Sequence, residues 1–501
     1  MKTLLLILFF FTCNGVATTL HLAISANPSR LNPILSTDKT SSDVAQWMFN
    51  GLIKYDKDAN IMTDLAESYT FVDDTTLIFK LRRDVQWSDG APFSAKDVLF
   101  TYETITSPKI FTPYASSFMH ILHVKMLDAF TVEVKYKYPY FKALEVWMME
   151  ILPEHLLKNE TDLMTSKFNQ KPLGTGPYTL SQFNISKDIV LAANPNYFIH
   201  KPNIDEIIFH YLPDRSAEFL MLKTKKLDLG SLTPLQLERQ IDEDFRKHYT
   251  IYEEISHVYT YMGFNLTSEK FKDPRVREAL SLAIDRQELV DILYFGHGKV
   301  STGPFLPGTG AYNEKIKAPT PDIQKAKALL KEAGYDEKHP LEFELSTSAN
   351  GSGSYSAQIL QHQLKRVGVV MKLRIMEWQA FLNTVVLPRN FDAVLMAWSM
   401  GLKPDAYTIW HSESIRKGGF NFIGYENAEV DKLINEAEKI VDQDKFDALY
   451  QEIFAKIVAD NPYLFLVIPN DITAVNKEIT PVSSSIIGVM HNAIDWIKPE
   501  N

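Results

Sequence analysis

The chain has 501 residues, 45% of them hydrophobic and 12% aromatic, and a formal net charge of −10 at pH 7. A single hydrophobic core stops growing at roughly 250–300 residues, so two or three domains are expected. The acidic balance excludes nucleic acid as a partner, because phosphate neutralisation needs clustered Lys and Arg, and it suits a soluble protein in a crowded compartment.

The N-terminus reads as a secretory signal over residues 1–17. Lys2 supplies the positive start, residues 4–11 are uniformly apolar, and Gly15-Val16-Ala17 offers a small-residue cleavage site. The apolar run is too short to span a bilayer, which takes about 20 residues. A buried N-terminal strand is the competing reading and fits the charge pattern less well. Cys13, the only cysteine, lies inside this segment. As a lipidation site it would anchor the protein. However, Phe10-Phe11-Thr12 before it lacks the usual small residues, so soluble export to the periplasm is preferred. The remaining chain then has no cysteine, which excludes a disulfide, a thiolate metal site and a thiol nucleophile.

Residues 19–26 alternate, with Leu20, Leu22 and Ile24 apolar, and predict a strand that Asn27-Pro28 and Asn32-Pro33 break into a loop. Val44, Trp47, Met48 and Leu52 fall at helical spacing over 43–52. Residues 77–81 and 131–136 alternate like antiparallel strands. A helix is predicted over 94–104, with Ser94 as N-cap and Asp97 completing a capping box. Strands follow at 206–212 and 258–264. Asp273-Pro274 opens a helix containing Val276, Ala279, Leu280, Leu282 and Ala283. Another helix runs over 321–333 and stops at Gly334. Strands at 341–345 and 371–375 flank a helix through Ile359, Leu360 and Leu364 that ends at Gly368. Residues 391–397 predict a fully buried strand, and helices at 429–441 and 445–459 follow. The alternation of helix and strand in the C-terminal half predicts an α/β domain, whereas 55–140 is richer in paired strands.

An ordered series of motifs accompanies this pattern. Leu31-Asn32-Pro33 and Asn50-Gly51-Leu52 come first, then the block over 79–98 with Trp87-Ser88-Asp89-Gly90 and Ser94-Ala95-Lys96-Asp97. Gly174-Thr175-Gly176-Pro177-Tyr178, Asn194-Pro195-Asn196-Tyr197, Asp273-Pro274-Arg275-Val276-Arg277 and Ala283-Ile284-Asp285-Arg286 follow. Over nearly its whole length the chain thereby resembles the family 5 extracellular solute-binding proteins of ABC importers, which take oligopeptides, dipeptides or nickel chelates. The resemblance implies a periplasmic-binding-protein-like α/β fold: two lobes around a hinged cleft, joined by two crossing segments, with a smaller strand-rich subdomain. On that basis lobe I comprises 18–45, 169–255 and 471–501, the subdomain 46–168, and lobe II 256–470. It also implies a monomer that passes its ligand to an inner-membrane ABC permease.

By the same resemblance three stretches line the cleft: a loop with Asn27, Arg30 and Leu31; a crossing segment over 397–407 with Trp398, Ser399, Met400, Gly401 and Tyr407, followed by Trp410 and His411; and a C-terminal stretch with Met490 and His491. Trp398, Tyr407 and Trp410 suit aromatic walls, although large aromatics are as often core residues. Relatives that clamp dipeptides place an aspartate just after the Trp-x-Gly of the crossing segment and an arginine early in the helix before Gly368. Here Leu402-Lys403 follows Gly401, and Ser354 and Tyr355 stand at the arginine position. An unpaired buried terminus costs several kcal/mol, so a dipeptide held by both ends is disfavoured. The expected cargo is a longer peptide or peptide-like ligand held through its backbone. The alternative is nickel chelated by free histidine, with Ni(II) as cargo and His491 as the metal ligand, His411 being the lesser candidate. No cofactor is required.

An enzyme is disfavoured. The chain has no Gly-x-Ser-x-Gly elbow, no His-Glu-x-x-His pair and no phosphate-binding glycine loop. A chaperone or adhesin would need an extended apolar face, and none is plain in the sequence.

Overall fold

The computed structural model describes residues 17–499 apart from 37, 113, 350–352, 417 and 418. Apart from Ala17, the segment expected to be an export signal, with Cys13, lies outside the described residues. Among the described residues no helix is long and apolar enough to cross a membrane.

The helix starts follow the local chemistry. In Ala95–Thr106 the Lys96 N–H donates to Ser94 Oγ at 3.3 Å, and the Ser94 N–H donates to the Asp97 carboxylate at 2.9 Å. The second oxygen of Asp97 accepts from the Glu154 N–H at 2.9 Å, so the cap also fixes the following helix Glu154–Leu157. Burial raises the Asp97 pKa, against the pull of these backbone donors. Asp273 caps Pro274–Ala283, and Gly334 and Gly368 end their helices at φ of +92° and +84°, where only glycine is unstrained.

The apolar spacing over 43–52 does not mark one helix. The helix is Lys39–Ala45, started by Asp38, which accepts from the Ser41 N–H at 2.8 Å. The chain then turns, because the carbonyls of Trp47 and Met48 are taken by Tyr178 N–H at 3.0 Å and Gly176 N–H at 2.8 Å. A Cβ on Gly176 would lie 2.4 Å from the Met48 carbonyl carbon, and one on Gly174 would lie 1.8 Å from the Met48 oxygen. The glycines of Gly174-Thr175-Gly176-Pro177 are there for backbone approach.

Lobe I holds two sheets. One runs in the order Thr19–Ile24, Glu206–Tyr211, Asp188–Ala193, Tyr178–Asn184, with only the first pair parallel. The other runs Leu229–Leu232, Val467–Asn476, Tyr249–Ile255, all antiparallel. The strand-rich subdomain is an antiparallel sheet ordered Ala66–Asp73, Thr76–Leu81, Thr131–Tyr136, Ile121–Asp128. Lobe II is a five-stranded mixed sheet ordered Val370–Met376, Glu342–Ser348, Ala393–Ser399, Val258–Phe264, Tyr463–Phe465. Ala393–Ser399 is its central strand. Its first residues are fully buried, and it alternates toward Ser399 as it leaves the core.

Among the described residues two chain crossings join the lobes. Tyr249–Ile255 passes through Ser256 and His257 into Val258–Phe264. Val467–Asn476 pairs with Gly298–Val300 through residues 467–469, then with Tyr249–Ile255 through 470–476. The crossings bond each other, Ser256 N–H donating to Pro469 O at 3.0 Å. The stretch 397–407 is not a crossing segment. Met400 N–H touches the hinge at His257 O, 2.7 Å away, but the chain returns to lobe II, where Trp410 packs on Tyr425, Tyr463 and Phe465.

Arg286 braces this junction. It is 5% exposed, and its guanidinium donates to Phe465 O at 2.7 Å and to Ser281 O and Oγ at 3.1 and 2.9 Å. Burial without a carboxylate partner lowers its pKa to about 10. Replacing Arg286 with Met should cost about 1–3 kcal/mol, because the carbonyls lose their donors; a fall in the denaturant midpoint measures it. Gly176→Ala should cost about 3 kcal/mol, since the obstructing atoms are backbone, while Gly90→Ala, where a Cβ meets nothing within 4 Å but φ is +88°, should cost only about 1 kcal/mol.

Candidate ligand-binding groove

Three adjoining cavities, of about 290, 600 and 510 Å³, share the short helical stretch Glu145–Met148 and its flanks. Glu145 lines the first two, Met148 and Glu150 line the first and third, and Tyr55 lines the second and third. The largest lies between the subdomain and lobe II. Its walls include Tyr69 and Phe71 on one side and Thr309, Leu402, Lys403 and Pro404 on the other. The 510 Å³ cavity opens between the subdomain and the C-terminal segment, with Tyr197, Met490 and His491 on its walls.

The stretch can face these cavities because its backbone is already tied. Trp147 O accepts from the Leu52 N–H at 2.9 Å, and the Trp147 ring is held by Phe79 and Phe118, with its Nε1–H on Tyr136 OH at 3.0 Å. Glu145 and Lys403 form an ion pair of 3.0 Å between subdomain and lobe II, with side chains only 12% and 11% exposed. Lys403 also lies over the Phe446 ring at 5.0 Å. The second Glu145 oxygen, Oε2, is buried without a hydrogen-bond partner. Burial raises the Glu150 pKa, and burial together with the nearby Glu145 charge raises that of the Tyr55 hydroxyl. Beside Lys403, Lys142 pairs with Asp405 at 3.3 Å, and Phe141 stacks on Phe446 at 5.3 Å. Glu438 is pushed up to about 6 by burial and by Asp405. These groups make the groove polar at its charged seam and aromatic along its walls, a combination suited to holding a ligand.

The expected site residues divide. Met490 and His491 line the 510 Å³ cavity, and His491 Nε2 lies 3.0 Å from Ser483 Oγ. Trp398 stacks parallel to Tyr261 and Phe422 at 6.4 and 6.0 Å, with its Nε1–H on Tyr463 OH, while Ser399 and Gly401 are exposed beside it. Met400 is buried at the hinge. Tyr407 donates to Glu413 at 2.6 Å and stacks on His411. The structure uses Trp410 as a core residue, 1% exposed. His411 is 4% exposed with both ring nitrogens engaged: Nδ1 accepts from Glu413 N–H, and Nε2 meets Asn435 Nδ2 at 3.1 Å. Asn27 holds Ser186 through two hydrogen bonds, Leu31 is fully buried with its N–H on Asn169 O, and Arg30 is half-buried beside Ser41. The Asn27–Leu31 loop lines none of the three cavities.

The sequence reading missed Glu145, Glu150 and Tyr55. The local signal was two acids within the apolar stretch 143–152, which a solvated surface does not require. Asp405, near the place of the dipeptide clamp, is held by Lys142 and by the Tyr407 N–H at 3.1 Å. Tyr355 is 64% exposed on helix Gly353–Lys365. Among the described residues no group of three His, Cys, Asp or Glu side chains is placed to hold a metal ion.

The sequence profile of the bacterial extracellular solute-binding proteins, family 5, matches residues 60–418. The oligopeptide-binding protein AppA of Bacillus subtilis is 32% identical over 474 residues, covering 90% of this chain and 86% of AppA. Its structure in complex with a nonapeptide superposes with a TM-score of 0.77 at 30% identity, over 96% of this chain and 99% of that one. NikZ from Campylobacter jejuni in complex with Ni(L-His) superposes with a TM-score of 0.78 at 28% identity over the same shares. On this fold, these motifs and these likenesses, the chain belongs to the family 5 bacterial extracellular solute-binding proteins and is a binding protein, not an enzyme.

Proposed function

We propose that the chain is the receptor of an ABC importer, exported through residues 1–17 to the periplasm, that captures a peptide or peptide-like ligand in the groove and delivers it as a monomer to an inner-membrane permease. The likeness to an oligopeptide-binding protein over nine-tenths of the chain carries this reading. The groove supports it. Asp405 is already paired, Tyr355 faces solvent, and neither forms a clamp for both ends of a dipeptide. A longer ligand held through its backbone avoids the several kcal/mol that unpaired buried termini cost.

A second reading has two observations in its favour. His491 reaches the 510 Å³ cavity, and the NikZ likeness belongs to a protein solved with Ni(L-His). In that reading the chelator supplies most of the nickel ligands and His491 adds one.

Thermal-shift measurements separate the two. A ligand at 100 times its Kd stabilises by about 2.7 kcal/mol, which raises Tm by about 3 °C in a chain of this size. Octapeptide and nonapeptide pools should produce that shift with or without EDTA. A shift seen only with Ni(II) and free histidine, abolished by EDTA and by His491→Ala, would replace the peptide reading with the nickel one. The Lys403–Glu145 pair should be felt in stability as well. Glu145→Gln leaves a buried lysine unpaired and should cost about 3–5 kcal/mol, whereas the double replacement with Gln and Met should recover much of it; chemical denaturation of both variants checks this.

A further inference from the structure

The hinge carries a cluster of ionisable groups that ligand binding does not explain. His297 sits in lobe II, between helix Arg286–Tyr294 and strand Gly298–Val300. Its Nδ1 lies 2.8 Å from Glu253 Oε2 and its Nε2 lies 3.0 Å from Glu238 Oε1. Both glutamates belong to lobe I, Glu253 on Tyr249–Ile255 and Glu238 on helix Pro234–Arg239. Between them runs the crossing strand, where Asn470 donates its Nδ2–H to Glu253 at 3.1 Å and its backbone N–H to His297 O at 3.1 Å. The imidazole is 16% exposed, while Glu253 and Glu238 are 35% and 44% exposed, so solvent screens the two pairs in part, the Glu238 pair more than the Glu253 pair.

The geometry fixes the proton count. A neutral imidazole has one N–H and can donate to one carboxylate, whereas the cation donates to both at once. We propose that protonated His297, held between Glu238 and Glu253, is a tie across the hinge that fixes the angle between the lobes and is released as the surrounding pH rises. This operates whatever the cargo is.

The other charges nearby do not compete for the ring. Arg239 lies over the Phe295 ring at 5.9 Å, Lys299 is exposed, and Asp471 interacts with His257 and Glu254. Burial alone would lower the His297 pKa, but the hydrogen bonds and charges of Glu253 and Glu238 outweigh it and raise the pKa above the ordinary 6.5. The stabilisation is therefore complete below the ordinary value and is lost as pH rises through the higher folded value.

Double electron–electron resonance on the full chain tests this, with spin labels at Lys226→Cys in lobe I and Lys338→Cys in lobe II, in a Cys13→Ser background. In the otherwise unaltered chain the inter-lobe distance should change between about pH 5.5 and about pH 8.5, with a midpoint above that of a free imidazole. His297→Gln, which cannot gain the second N–H⁺, should show no pH-dependent change. A pH-independent distance in the unaltered chain, or a response that survives His297→Gln, would overturn the proposal. Should His297→Gln fail to fold, Glu238→Gln decides: a lowered midpoint supports the tie, and an unchanged midpoint refutes it.

Discussion

The architecture depends on a pair of strands that belong to both lobes at once. Val467–Asn476 begins on Gly298–Val300 and finishes between Leu229–Leu232 and Tyr249–Ile255. Tyr249–Ile255 runs on into the lobe II sheet after two residues. A lobe angle can change only by twisting this double connection, because both chains are hydrogen-bonded to sheet neighbours on either side and to each other at Ser256 and Pro469. Such a connection permits hinge bending and resists separation. Arg286, on the Phe465 carbonyl just before one crossing, and Met400, on the His257 carbonyl at the other, hold the two exits in place.

Much of this was legible where local chemistry and tertiary structure agree. Ser94 and Asp97 form the expected box, Asp273-Pro274 starts its helix, and Gly334 and Gly368 end theirs. Val258–Phe264 falls on its predicted limits. The failures share a cause: a residue's use was set by a distant partner. The spacing of Val44, Trp47 and Met48 reflects burial in a turn that residues 176–178 hold from outside. The stretch after Ala393–Ser399 has the composition of a cleft wall, yet Trp410 is claimed by Tyr425, Tyr463 and Phe465. His411 has no free nitrogen, because Asn435 comes from another helix. The groove itself was largely illegible, since Tyr55, Glu145 and Lys403 meet only after three segments fold together.

Charge is arranged differently in the core of lobe II and in the groove. Arg286 is surrounded by neutral oxygens that cannot leave, so its cation is permanently satisfied. Glu145 spends one oxygen on Lys403 and leaves the other buried and unbonded. An orphaned carboxylate oxygen is costly in a finished core, but at the edge of a cavity it can be satisfied by an arriving donor. The first arrangement serves the scaffold, and the second suits a surface whose partner is exchangeable.

The narrow passage where Gly174 and Gly176 lie against Met48 has a mechanical meaning. Residues 174–178 lead into a lobe I strand, whereas Met48 leads into the subdomain, and the two backbones touch with no side chain between them. Side chains can slide past one another by changing rotamer; backbones locked by hydrogen bonds at van der Waals distance cannot. The subdomain is therefore bound to lobe I backbone to backbone, whereas its contacts with lobe II run mostly through side chains, Glu145–Lys403 and Lys142–Asp405 among them, beside one backbone bond from Phe141 N–H to Glu438 O. A hinge rotation that carries the subdomain with lobe I would have to break only that second, weaker set.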